Sequence, residues 1–354
     1  MADDSTADDL GSPDPAPGGP ASGDWGEFAL IARIIARLGD AAATDILVPP
    51  GDDAAIWLAD SRGVVATIDA LTEGTHWRAD TMDLADVGWR AVTANVSDLA
   101  AMGAEPGYLL VATCLGPSIT SAGLDAFVDG LAASSRTHGV RVAGGDIVRG
   151  EATMFTIAAY GSAPFEGDEP RTLRRNAALV GDVIAVSGHP GASAAGLALI
   201  ERGQANSGDA AALVEAHRRP LARTEIGRQA IALGIRCAID VSDGLLQDLD
   251  HIAEQSGVGI EIDCAAIPVH PAAVELLGSG AALDLALGGG EDFELALVGE
   301  ASQLAALGDQ VTTIGRVVEE HSGETIALDA DGAPYRPARR GWDQLANSRG
   351  GGQS

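Results

Sequence analysis

The 354-residue chain contains no lysine: all 22 of its basic residues are arginine. That absence removes a P-loop lysine, a Schiff base and any catalytic ammonium. Cysteine is almost absent too. Cys114, Cys237 and Cys264 lie far apart in apolar segments, with no CxxC or Cys/His cluster. Structural zinc and a disulfide framework are therefore not expected, and three reduced, buried thiols point to a cytoplasmic protein. No apolar stretch reaches the ~18–20 residues of a membrane span. The opening "MADDSTADDLGSPDPAPGGPASGD" has neither a basic start nor an apolar core, so it is not read as a secretory signal. Positive charge is scarce overall: 51 acidic residues leave a net charge of −29. Such a surface is poorly suited to nucleic-acid phosphates. Two nucleotide-binding motifs are also lacking. "GHPGAS" has neither the spacing nor the lysine of a P-loop, and no GxGxxG opens a helix after a strand.

What remains divides along the chain. Residues 1–25 carry six aspartates and no base, and with their Pro, Gly and Ser they read as a disordered acidic tail. "GEFALIARIIARLGD" has helical apolar spacing, with Gly39 as its stop. Strands are expected at 63–69, 107–115 and 152–163, and helices at 85–104 and 121–139. This βαβαβ-like N-terminal domain is placed at 26–165. "FEGDEPRTLRRNAALVGD" is polar and loop-like, and marks the junction. A second domain, 166–345, alternates strands at 183–188, 237–240, 259–263, 293–299 and 311–318 with helices, including a pair near 271–287. A hairpin follows about residue 322, and 346–354 is a flexible tail. Alternating elements of this kind define an α/β (α+β) fold with helices packed on one face of each sheet.

Against that background, acids recur where apolar runs end: Asp52 and Asp53 in "PPGDDAA", Asp69 in "VATIDA", Asp98 in "NVSDLAAMG", Asp146 in "VAGGDIVRG", Asp240 and Asp243 in "AIDVSDG", Glu291 and Asp292 in "GGGEDFE". Each has an ordinary explanation. Asp52 and Asp53 suit a turn, Asp98 a helix N-cap, Ser242 and Asp243 the start of a helix, and the glycines before Glu291 a hairpin. Gly144 and Gly145 before Asp146 suit a loop that lets backbone approach a phosphate. Taken together, carboxylates beside glycines and hydroxyls (Thr67, Ser97, Ser242) point elsewhere. Buried carboxylates need partners. Oxygen-only ligands with few cations nearby favour Mg²⁺. Several Mg²⁺ ions among carboxylates imply a polyphosphate and phosphoryl transfer by positioning and charge neutralisation. Arg149, Arg174 and Arg175 are the candidate phosphate clamps.

The ordered set "GDDAA", "TIDALTEGTHW", "NVSDLAAMGAEP", "AGGDIVRG", "AIDVSDGLLQDL", "GGGEDFEL" and a late "GW" resembles thiamine-monophosphate kinase, a family within the aminoimidazole ribonucleotide synthetase superfamily. The likeness runs across roughly residues 25–345. It implies a two-domain synthetase-type fold, with an N-terminal α/β domain that binds ATP and Mg²⁺ and forms a homodimer interface, and a C-terminal α/β domain. It implies ATP-dependent conversion of thiamine monophosphate to thiamine diphosphate, with no nucleic-acid or membrane partner. Position by position, it implies Asp53, Thr67, Ile68, Asp69, Asp98, Asp146, Asp240 and Asp243 as Mg²⁺ ligands. Gly145, Asp146, Arg175 and Ser242 would face the nucleotide. His76, Glu291 and Trp342 would face the thiamine substrate, a carboxylate for the aminopyrimidine and an aromatic for stacking. Members of the family often have Ser/Thr-Thr-Asp where this chain has Thr67-Ile68-Asp69, so at Ile68 only the backbone carbonyl can serve a metal.

No nucleophilic Cys or Lys is placed to form a phosphoenzyme, so direct in-line attack is expected. Selenophosphate synthetase and the hydrogenase maturation factor need a reactive terminal Cys that this chain lacks. An aminoimidazole ribonucleotide synthetase-like enzyme is disfavoured by "EGTHW" and "GGGEDFEL". A non-catalytic acidic Mg²⁺ or Ca²⁺ binder is the alternative of another class, although no EF-hand loop is present.

Overall fold

The computed structural model describes residues 27–50, 54–55, 57–58 and 63–342. The acidic tail, Asp52, Asp53 and the C-terminal tail fall outside the described residues. In chain order the N-terminal part comprises α1 (Glu27–Leu38), β1 (Gly63–Thr72), α2 (Leu84–Ala101), β2 (Glu105–Leu115), α3 (Ser121–His138), β3 (Arg141–Arg149) and β4 (Met154–Ala163). The strands form one sheet of order β1-β4-β2-β3, in which only β2 and β3 run parallel. A small hairpin, β5 (Phe165–Glu166) and β6 (Glu169–Pro170), follows.

The expected βαβαβ succession is thus corrected to a mixed sheet. Alternation of elements gives their order in sequence but not their neighbours in space. β4 slots between β1 and β2 and pairs antiparallel with both. The "AGGD" stretch is corrected as well. It is not a loop but the middle of edge strand β3, and a Cβ on Gly145 would lie 2.1 Å from the Val111 carbonyl of β2. The glycine serves strand-to-strand approach.

α2 is the axis of this domain. Asp83 caps its start, accepting from the Asp86 N–H. Val87, Ala91, Val92, Val96 and Leu99 are fully buried at the spacing of one helical face. It crosses α3 at two glycines: a Cβ on Gly88 would meet the Phe127 carbonyl at 2.1 Å, and one on Gly130 the Ala85 carbonyl at 1.8 Å. Asp98 lies inside the last turn of α2, so the capping explanation does not hold for it.

The C-terminal part comprises β7 (Val183–Ser187), α4 (Ala192–Glu201), α5 (Ala211–Arg218), α6 (Thr224–Ala232), β8 (Cys237–Val241), α7 (Leu245–Ser256), β9 (Gly259–Asp263), α8 (Pro271–Leu277), α9 (Ser279–Gly288), β10 (Glu294–Gly299), α10 (Ala301–Ala305), β11 (Val311–Val318), β12 (Thr325–Leu328) and β13 (Pro334–Tyr335). Its seven-stranded sheet has the order β13-β12-β9-β11-β7-β10-β8, antiparallel except for β9–β12. β8 and β10 are buried along their whole lengths, as continuous apolar strands must be.

The two halves meet on α2. Ala100 and Ala101 pack with Ile226, Ala230 and Ile231 of α6 and with Leu295 and Leu297 of β10 in one apolar cluster. The Trp89 indole donates to the Pro220 carbonyl at 2.7 Å, and Arg219 pairs with Asp86 at 2.8 Å. β8 ends against this seam.

Candidate active site

Thr67 and Asp69 share the inner face of β1, two residues apart, and α2 lies across them. The Thr67 hydroxyl donates to Asp98, and the Asp69 N–H donates to the Asn95 amide oxygen at 3.1 Å. Asn95 is itself held by the Ala91 carbonyl at 2.9 Å. From the other half, Asp240 comes in near the end of β8, 2% exposed, accepting from the Ser97 hydroxyl at 2.8 Å. Helix α2 thus touches an acid of β1 and an acid of β8 within one turn.

The electrostatics show how close these acids are. Burial, then the charges of Asp98 and Asp243, push the Asp69 carboxyl up to about 6. Burial and the Asp98 charge push Asp240 up to about 7, against the Ser97 hydrogen bond and the Arg175 charge. Burial also raises Asp98, opposed by Thr67 and Arg175. One exposed arginine is little compensation for four converging acids. The donors are all oxygen, the set that suits a hard divalent cation. Among the described residues, no three His, Cys, Asp or Glu side chains are already placed to share one ion.

Beside this cluster the loop after β8 is tied down by Asp248 of α7. One of its oxygens accepts from the N–H groups of Ser242, Asp243 and Gly244 at 3.0, 3.2 and 3.1 Å. Two further segments seat on the same loop. The Glu291 N–H donates to the Ser242 carbonyl at 2.7 Å, and the Trp342 N–H to the Asp243 carbonyl at 2.9 Å. Gln247 holds the Trp342 carbonyl at 2.7 Å, leaving the indole 46% exposed. Ser242, Asp243, Glu291 and Trp342 are therefore brought together. Glu291 adopts a left-handed backbone, φ 64°, and its carboxylate pairs with Arg90 of α2. Asp292 turns the other way and caps α4 through the N–H groups of Gly191 and Ser193 at 2.6 and 2.9 Å.

The remaining expected residues are placed differently. His76 lies in the turn after β1, where its Nδ1 accepts from the Thr72 N–H at 3.1 Å. Arg175 is exposed in the linker between the sheets, and its charge reaches Asp98 and Asp240. The Ile68 side chain is 65% exposed on the opposite face of β1 from Thr67 and Asp69. Asp146 does not join the cluster within one chain. Asp69, Ile157, Val111 and Gly145 form one row across the sheet, so three strand spacings, ~14 Å, separate its edges. Asp146 also aligns with Ala70 rather than Asp69, on the face away from α2. Asp53 lies outside the described residues.

Asn95, Asp248 and Arg90 escaped the sequence reading. Asn95 and Arg90 carried a signal, polar residues on the apolar stripe of a long helix. Asp248 carried none, because an acid in the first turn of a helix is ordinary.

A chain with this paired arrangement of sheets, and an acidic seam between them, matches the domains of AIR synthase related proteins. The N-terminal domain of that group matches residues 51–163 and the C-terminal domain residues 180–327. Within the group the likeness is narrower. Thiamine-monophosphate kinase of Salmonella typhimurium is 37% identical over 331 residues, 91% of this chain and 98% of that protein. The crystal structure of thiamine-monophosphate kinase from Stenotrophomonas maltophilia aligns with a TM-score of 0.75 at 36% identity, covering 87% of this chain and 98% of the other. AaThiL complexed with AMPPCP and TMP aligns with a TM-score of 0.72 at 29% identity, over 90% and 97%. The chain belongs to the thiamine-monophosphate kinase family.

Proposed function

We propose that the protein transfers the γ-phosphoryl group of ATP to the phosphate of thiamine monophosphate, giving thiamine diphosphate and ADP. The observation that carries this is the convergence of Asp69, Asp98, Asp240 and Asp243 beside the Ser242–Glu291–Trp342 group. It occurs in a chain whose relatives of near-equal length are kinases of that substrate.

In this reading Asp69, Asp98, Asp240, Asp243 and the Thr67 hydroxyl hold Mg²⁺, with Asp53 and the Ile68 carbonyl beside them. The all-oxygen donor set and the upward-shifted carboxyls fit such ions. A site with no ready-made three-ligand set fits ions that take their other ligands from phosphate oxygens. Bound Mg²⁺ neutralises polyphosphate charge and polarises the transferred group.

The chain's own groups do the positioning. Arg175 offers the planar donor fork that suits phosphate oxygens, and the Ser242 hydroxyl faces the nucleotide; Gly145, next to Asp146 on edge strand β3, would reach it only from a second copy. The His76 Nδ1 accepts from the Thr72 N–H, so Nε2 carries the proton and can donate to the acceptor phosphate. Trp342 stacks on the thiamine moiety while Glu291 accepts from its aminopyrimidine. The acceptor phosphate oxygen is already ionised at neutral pH, so no general base is required and the residues act by alignment.

The working form is proposed to be a homodimer through the open face of the four-stranded sheet. Helices cover the other face, whereas Val64, Ile68 and Val148 are 69%, 65% and 50% exposed on this one. An apolar sheet face of this kind calls for a cover. Asp146 lies on it, so a second copy offers its route to a metal site. Among the described residues no helix is long and apolar enough to cross a membrane.

The test is a product assay with purified protein, ATP, Mg²⁺ and thiamine monophosphate, following ADP and thiamine diphosphate by chromatography. Equal formation of both is expected. ADP without thiamine diphosphate would move the search to another acceptor. With no ATP turnover, the acidic metal-binding alternative returns.

A further inference from the structure

Among the described residues Arg90 is the largest fully buried side chain, and the proposed reaction does not use it. It sits on α2 at 1% exposure, on the helix's apolar face between Val87 and Ala91. Every partner of its guanidinium but one comes from the other half of the chain. Nη2 donates to the His217 carbonyl and lies 3.2 Å from the His217 Nδ1, while Nη1 pairs with Oε2 of Glu291. Asp86, one turn earlier on α2, and Asp292 add their charges to its surroundings. Its Nε finds no partner.

As a structural link this is a poor bargain. A cation withdrawn from water recovers its loss only with full pairing, and an apolar residue of similar volume generally serves a core as well or better. Here the guanidinium keeps one donor unpaired, and its carboxylate partner is 34% exposed. Glu291 sits on the same loop as Trp342: its N–H donates to the Ser242 carbonyl, and the Trp342 N–H to the Asp243 carbonyl. Glu291 also holds a left-handed backbone that a glutamate adopts only when its surroundings compel it. Its side chain is bonded to Arg90 and its N–H to the Ser242 carbonyl. The buried Arg90 holds Oε2, and Oε1 of the half-exposed carboxylate is the oxygen left for a further donor.

We propose that Arg90 is a positioning residue for the acceptor substrate: from the N-terminal domain it fixes one oxygen of Glu291 of the C-terminal domain and so directs the other at an N–H donor of the substrate's heterocycle. The ligand chemistry it serves is an amino-substituted aromatic heterocycle. The proposal rests on the reading that Glu291 contacts the acceptor.

Steady-state kinetics with R90M, E291Q and the double variant test it. R90M keeps the side-chain volume and loses the charge. Its KM for thiamine monophosphate is expected to rise about tenfold or more, with the KM for ATP within about twofold of the parent. R90K should recover part of that loss. In the double variant the effects should not multiply, because both act on one contact. A second readout uses an acceptor analogue with oxygen in place of the pyrimidine amino group. R90M should penalise it far less than thiamine monophosphate, a selectivity that general loosening would not produce. Where R90M does not fold, R90Q, which still donates to the His217 carbonyl, takes its place. An E291Q defect without an R90M defect overturns the role of Arg90 and leaves Glu291 as a substrate contact. Equal losses for ATP and both acceptors overturn it too, as a merely structural residue. Normal kinetics in both single variants would show that Glu291 does not meet the acceptor at all.

Discussion

Asp240 occupies a position where a carboxylate is costly, inside a strand buried at every residue and within reach of Asp98 and Asp69. Desolvation and like charge both favour its protonated form. The folded chain therefore holds protons at Asp240 up to about pH 7 and at Asp69 up to about 6, against an ordinary value of 3.8. Between those limits the folded state binds more protons than the unfolded one. The stability they supply is full below the unfolded value and is lost as pH rises through 6 and 7. For chelator-treated protein we expect the Tm to fall between about pH 4 and 7, and Mg²⁺ to restore it. A profile equally steep in Asp240→Asn would sink this account. The same variant should retain its fold while losing most of kcat, measured beside its circular dichroism. The proposed role of Trp342 is in substrate binding alone, so Trp342→Ala should raise the KM for thiamine monophosphate roughly tenfold, about 1.4 kcal/mol, the scale of one aromatic stacking contact.

Elements whose role is packing were legible in the sequence. β11 was expected at 311–318 and runs over those residues, because alternating Val, Thr and Ile suit a strand flanked by turns. β3 was not, since two glycines in a row read as a loop until the neighbouring Val111 carbonyl is in view. The site divides the same way. Asp240 and Asp243 stood out as acids at the end of an apolar run, whereas Asp248 became visible only through the three N–H groups it holds. That role predicts a graded result. Asp248→Ala, leaving those donors to find water, should cost about 2–4 kcal/mol in chemical denaturation. Asp248→Asn, which keeps an acceptor oxygen, should cost clearly less. At the α2–α3 crossing, Gly130→Ala would force a methyl against the Ala85 carbonyl. An overpacking loss of ~2 kcal/mol or more is expected there, and a neutral change would mean that the helices can separate freely.

For the molecule as a whole, the proposed dimer turns on the open sheet face. Ile68→Glu replaces an exposed apolar side chain with a charge on that face, so the folded monomer should tolerate it while self-association should not. Light scattering of the parent is expected to report a dimer and of Ile68→Glu a monomer. A dimer in both would place the interface elsewhere. Spatial order was the least legible level, because hydrophobic periodicity defines each strand without saying which strand lies beside it.

Helix α2 carries Arg90 toward Glu291, Asn95 toward Asp69, Ser97 toward Asp240, and Asp98 itself. Arg90 and Asp98 are eight residues apart, about 12 Å along a helix axis. On the proposed roles, one rigid rod is a ruler between the carboxylate for the heterocycle and the acids for the phosphates. Acceptor length would then be set by a fixed gauge, and adding a single residue between those marks would turn one end by about 100° relative to the other.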